Sequence, residues 1–230
     1  MLEELTEADR ARIGEAWLRD ALAEHASIAS FARFALFAME LGAPPAVLTG
    51  IAQAMKDETR HAQLCFGLAA RFLGRTVGPG RIEIEAFGRE AMTAAAILHG
   101  AIIEGCVGET IAAASVAQAA ACCVDIEIRS ALNGISRDEY DHAELAWTFI
   151  AWLLDRMPEL IPEAREAFAT AFDQRHFASD DLKLPPEAVR YGILPQDIRR
   201  RIRAVTIGKA LRPRAAALCM NQLGMVDAEG

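Results

Sequence analysis

Glutamate and histidine recur in this sequence in a pattern suited to metal ligation. Asp57-Glu58-Thr59-Arg60-His61-Ala62-Gln63-Leu64 and Asp138-Glu139-Tyr140-Asp141-His142-Ala143-Glu144-Leu145 both read D-E-x-x-H-A-x-L, 81 residues apart. On a helix, residues three apart project from one face, so each stretch offers a carboxylate and an imidazole to one point. A lone glutamate precedes each copy at matching distance: Glu24 lies 34 residues before Glu58, and Glu104 lies 35 before Glu139. The half-motif is Glu, roughly ten helical turns, then Glu-x-x-His, and the chain carries it twice.

The elements that must position these residues read as helices. Thr6-Glu7-Ala8-Asp9 resembles a capping box with Asp in place of Glu and opens a helical pattern to about Glu40. In it Trp17, Ala21, Glu24, Ile28, Phe31, Ala35 and Ala38 recur at spacings of three and four, which sets Glu24 inside an apolar stripe. Pro44-Pro45 turns the chain into a second helix over about 46–73, with Glu58 on the stripe of Ile51, Met55, Ala62, Cys65 and Phe72. The stretch Gly74 to Arg81 breaks helices and reads as a crossover to a third helix over about 86–121, where Ile97, Ala101, Glu104, Gly108, Ile111 and Ser115 share a side. Asp125 caps a fourth, striped by Leu132, Ile135, Glu139, His142, Ala146, Phe149 and Leu153. All four helices thus direct acids inward. Beyond Asp155, prolines at 158, 162, 185, 186 and 195 cut the chain into shorter helices. Arg199 to Arg214 holds seven basic residues and no acid, read either as a solvated face or as a seat for an anionic substrate, carrier or partner.

A burial of four carboxylates has to be neutralised, since each unpaired charge costs several kcal/mol and the charges repel. A pair of divalent cations removes that cost and uses the oxygen and nitrogen lone pairs as ligands. Glu24, Glu58, His61, Glu104, Glu139 and His142 are the candidate ligands. His25 points about 100° away from Glu24 and reads as an interhelical hydrogen-bond partner. His99 reads as structural, His176 as exposed outside the bundle, and Cys65 and Cys106 as small buried side chains. Glu109, five residues after Glu104, falls off the stripe of a regular helix, but a π-bulge near Gly105 or Gly108 would return it to the metal face.

Bulk composition narrows the classes. The chain has 230 residues, 53% of them hydrophobic, with a formal charge of -8, which disfavours a general nucleic-acid binder. The five cysteines include no CxxC pair and suggest a reducing, cytoplasmic setting. The acidic N-terminus does not read as a signal peptide, and the nearly uncharged stretch Ala91 to Ile103 is too short to span a bilayer by itself.

Taken together these residues resemble the ferritin-like superfamily, the group of rubrerythrins, bacterioferritins and di-iron oxygenases. Asp57-Glu58-Thr59-Arg60-His61 is similar to the D-E-x-R-H signature of many members, and the resemblance covers about residues 17–155. Two glutamates plus two Glu-x-x-His pairs is the ligand set of such di-iron or di-manganese bundles. The resemblance implies an all-α fold: an antiparallel four-helix bundle over 1–155, with a helical extension over 156–230 packed on it. It also implies two Fe ions, or Mn in their place, with O2 as co-substrate. By it, Glu58 and Glu139 would bridge the ions, Glu24 and His61 would cap one, and Glu104 and His142 the other.

The expected function is a di-iron oxidoreductase that activates O2 to oxidise or oxygenate a small organic substrate, with electrons supplied by an external donor. A ferroxidase or rubrerythrin-like peroxide-detoxifying protein is the alternative. The extension past residue 155 favours the first, because a substrate needs walls and a lid whereas storage does not. A structural metal is disfavoured, since oxygen-rich two-metal sites are poor staples beside closed cysteine-rich zinc sites. A homodimer is compatible with this reading, which includes neither a membrane span nor nucleic acid.

Overall fold

The computed structural model describes residues 5–82, 93–173 and 183–226, with side chains to Met220. Among them all regular structure is helical. Helix α1 (Glu7–Glu40) begins where the Thr6 hydroxyl accepts the Asp9 amide at 3.1 Å. The chain turns through Gly42, at φ 69°. Helix α2 (Pro45–Leu73) opens on a proline, whose missing N–H costs nothing in the first turn, and stops at the left-handed Gly74. Helix α3 (Ala94–Cys122) follows and α4 (Ile126–Arg156) is its hairpin partner. The N-cap of α4 is Asp125, which accepts the amides of Glu127 and Ile128 and pairs with Arg71 at 2.8 Å, tying α2 to α4.

Contacts fix the directions. Glu24 meets His61, Gly50 faces Leu145, Arg71 meets Asp125 and Ser136 donates to the Ala113 carbonyl, so α1/α2, α2/α4 and α3/α4 are antiparallel neighbours. It follows that α2 and α3 run the same way and that the connection between them joins opposite ends of the bundle. Gly74 to Arg81 begin that connection; 83–92 are outside the described residues. Gly105 permits the close approach of α3 to α4, because a Cβ there would come within 2.5 Å of the Ala146 Cβ.

After α4, helices α5 (Ile161–Phe172), α6 (Gln196–Thr206) and α7 (Arg212–Val226) pack on the bundle; α6 and α7 are joined without a break by a π-helical stretch, Ile207–Leu211. Leu160, Ile161, Ala164, Phe168, Phe172, Ile207 and Leu211 enter one core with Phe149, Ile150 and Leu153 of α4, while Tyr191, Ile193 and Leu194 enter a second with Trp17, Phe72 and Leu132. The extension is a wall of the bundle. Much of the basic segment is committed to this packing. Arg199 donates to the Leu194 carbonyl and Arg203 to that of Ala171; Arg212 lies over Phe172; Arg214 bonds Glu144 and lies over Trp147. Arg200, Arg201 and Lys209 face solvent.

Candidate metal centre

Midway along the bundle, side chains from all four helices converge into two overlapping sets. Glu24, Glu58, His61 and Glu139 form one and Glu58, Glu109, Glu139 and His142 the other, with the potential ligand atoms of each set within 4.8 Å of one another. Glu58 and Glu139 belong to both, as groups shared by two ions must. His61 Nδ1 lies 3.5 Å from Glu24 Oε2 and 3.2 Å from Glu139 Oε1, and His142 Nδ1 lies 3.1 Å from Glu58 Oε1 and 3.6 Å from Glu139 Oε2. Two donors about 2.1 Å from one ion and at right angles to each other are about 3 Å apart, so these separations suit ligands around a common ion.

The helical expectation for α3 needs correction. Glu104 stands outside both sets: it is about half exposed and both of its carboxylate oxygens accept from Arg33, at 3.1 and 3.2 Å. Glu109 takes the place expected of it. The cause is the stretch Ala101–Glu109, which is π-helical. Its i→i+5 bonding inserts extra chain per turn, so that the residue at 109, and not the glycine at 108, arrives on the face toward His142. His25, half-buried, and His99, exposed, are in neither set, and His176 lies outside the described residues. Burial pushes the Cys65 and Cys106 thiols well above their usual range, which leaves them as inert core groups.

Two aspartates complete the site. Asp138 Oδ2 is 2.9 Å from His61 Nε2 and also receives Arg60, which bonds Asp57 at 3.2 Å. A hydrogen bond from His61 Nε2–H to Asp138 leaves Nδ1 as the lone pair facing Glu24 and Glu139. Asp57 stands 3.8 Å from His142 Nε2. The first Asp of the second D-E-x-x-H copy thus bonds the histidine of the first, while Asp57 faces His142 without reaching hydrogen-bond distance. The signal was present in the repeat itself, where Asp precedes Glu both times. Asp138→Asn is expected to weaken metal binding roughly 10–100-fold while leaving the helix content intact; titration with Mn(II) and circular dichroism check it, and unchanged affinity would remove Asp138 from the site.

Electrostatics agree with a site built for cations. Burial raises the Glu58 carboxyl to about 8, against the opposing pull of His142. Burial and then Glu139 raise Glu109 well above the carboxylate range. Burial also works against charge on the histidines, but Glu139, Glu24 and Asp138 lift His61 to about 11, and Glu139 and Glu58 lift His142 to about 9. Glu139 is itself buried, yet the two histidines and Glu109 hold it well below its ordinary value. These charges are near one another without being well bonded. Among the described residues, Glu58 Oε2, His61 Nδ1 and both ring nitrogens of His142 are buried with no aligned hydrogen-bond partner. Each such orphan costs about 1–3 kcal/mol, and three of them, Glu58 Oε2, His61 Nδ1 and His142 Nδ1, lie where a pair of metal ions could satisfy them, while His142 Nε2 faces Asp57. The residues fit a dinuclear metal site. The chain matches no family model, no curated protein and no solved structure.

Proposed function

We propose that this chain is a dinuclear metal oxidoreductase of the ferritin-like kind, holding two iron ions and using O2 to oxidise a small organic substrate. The observation that carries the proposal is the sharing of Glu58 and Glu139 between two sets of ligands, one closed by Glu24 and His61 and the other by Glu109 and His142. Two bound Fe(II) ions would supply two electrons to O2. The protein's part is to hold, orient and shield. Glu58 and Glu139, both buried, keep their carboxylates between the two sets. Asp138 orients His61, and Arg60 holds Asp138 and Asp57 in position from the surface side. No CxxC pair is present in the sequence to carry electrons, so an external donor would supply repeated turnovers.

Organic oxidation is favoured over iron handling by a cavity of about 290 Å³ that reaches the centre at Glu109 and His142 and is walled by Phe31, Phe34 and Phe37. A path for Fe(II) would not need an aromatic wall. The test is to load the protein anaerobically with two Fe(II) per chain, admit O2 and follow both oxygen uptake and the iron. About one O2 per two Fe(II) should be consumed, and the iron should stay bound without further Fe(II) being turned over. Continued oxidation of added Fe(II) into protein-enclosed ferric mineral would replace this reading with a ferroxidase.

A further inference from the structure

The cavity at the centre says more about what enters it. It opens between α1 and α3, which touch little along this length, and its walls are mostly carbon: the three α1 phenylalanines on one side, Ile97, Ala101 and Gly105 on the other. Away from the Glu109 and His142 end, Ser27, Ser30 and one charged pair interrupt them. Arg33 and Glu104 both line the cavity, joined by the two oxygens of Glu104 accepting from one guanidinium nitrogen. The partners are unequal. The Arg33 side chain is only 19% exposed, whereas that of Glu104 is 55% exposed. The guanidinium is therefore built into the wall, and its carboxylate partner sits on the solvent side.

We infer that this cavity binds a small, mainly apolar carboxylic acid, with its carboxylate on Arg33 in place of Glu104 and its apolar part lying along the phenylalanines toward Glu109 and His142. Three observations converge on that class. A guanidinium on a mostly covered side chain in the wall recognises a carboxylate by paired hydrogen bonds, and exchanging Glu104 for a ligand carboxylate leaves the local charge unchanged. The aromatic wall of Phe31, Phe34 and Phe37 rewards an apolar body. The volume, about 290 Å³, is at the small end for ligand sites and suits a small ligand. Glu104 thus acquires a use that its place outside the metal sets leaves open: it pairs with Arg33 when the cavity is empty and competes with the ligand for it. As a substrate assignment this rests on the dinuclear reading above; as a binding site it does not.

The test uses the full metal-free chain and ligand binding, not turnover. Phenylacetate, 3-phenylpropanoate and hexanoate are titrated by calorimetry beside their primary amides. The carboxylates should bind saturably and the amides roughly 10–100-fold more weakly. Arg33→Gln should abolish the difference between acid and amide. Glu104→Gln should tighten carboxylate binding several-fold, since the internal competitor is gone; a purely structural ion pair would give no tightening. Absence of saturable carboxylate binding, equal affinity for acid and amide, or unchanged or weaker binding in Glu104→Gln would each overturn the inference. Metal stoichiometry measured on the same variants separates the two proposals. Two ions per chain with no carboxylate binding sinks this one alone, and carboxylate binding without metal uptake sinks the dinuclear reading alone.

Discussion

Glu109→Ala should cost the protein one of the two metal ions proposed for it, and Glu104→Ala should cost it neither. Glu109 is one of four groups in the set that includes His142, and the other three are Glu58, Glu139 and the imidazole itself. Removing it would leave an ion held there with an incomplete shell, since the two remaining carboxylates would be shared with a second ion. Loss of an outer-shell partner alone lowers metal affinity about 10–100-fold, and loss of a direct ligand should exceed that. Glu104, held by Arg33 and about half in water, has no such role. Metal analysis after equilibrium dialysis against Mn(II) or anaerobic Fe(II) reads the difference, with both variants melting cooperatively as the control for folding. The reverse pattern, with Glu104→Ala losing an ion and Glu109→Ala keeping both, would falsify the assignment of α3.

That contrast also marks how far the sequence was legible. The helices, their caps at Thr6 and Asp125 and the turn at Gly42 to Pro45 follow from local rules of capping, helix breaking and periodicity, and they lie close to where those rules set them. Five of the six residues singled out by the repeat are brought together: Glu24, Glu58, His61, Glu139 and His142. The sixth, Glu104, was chosen because its distance from Glu139 matches that between Glu24 and Glu58. Equal contour length does not mean equal height. In an antiparallel hairpin two residues are level only if the turn lies midway between them. The midpoint of Glu24 and Glu58 is Leu41, at the end of α1, and that of Glu109 and Glu139 is Val124, between α3 and α4. The midpoint of Glu104 and Glu139 falls between Ala121 and Cys122, still inside α3. Height alone therefore favours Glu109. What the residue types do not encode directly is the π-helical register of Ala101–Glu109, which turns that side chain toward the bundle axis. The packing that selects it, with Gly105 against Ala146, depends on contacts distant in sequence. The cavity and its Arg33–Glu104 pair were equally hidden, since 71 residues separate the two charges.

The pH dependence of stability should reverse when metal is bound. In the metal-free fold Glu58 keeps its proton up to about 8, whereas its ordinary value is 4.5, and Glu109 is shifted the same way by burial. His142 keeps its proton up to about 9 and His61 up to about 11, against an ordinary 6.5. All four groups bind more protons folded than unfolded: Glu58 between 4.5 and about 8, His142 between 6.5 and about 9. Stability must then fall as pH rises through these windows. Glu139 has the opposite sign: its carboxylate is held below the ordinary value, so its contribution is present above 4.5 and is lost on acidification. The metal-free protein is accordingly expected to be most stable near pH 5–6 and to weaken toward pH 8. Metal ions require the carboxylates ionised and the imidazoles neutral, so uptake releases protons and strengthens with pH. At a fixed free Mn(II) concentration the melting temperature of the loaded protein should therefore rise above that of the metal-free protein by an increasing margin from pH 5.5 to 8. In Glu58→Gln the metal-free decline over this range should flatten, because the group that sheds a proton near 8 is gone. A margin that stays constant or narrows with rising pH would mean that these four groups do not give up protons to bound metal.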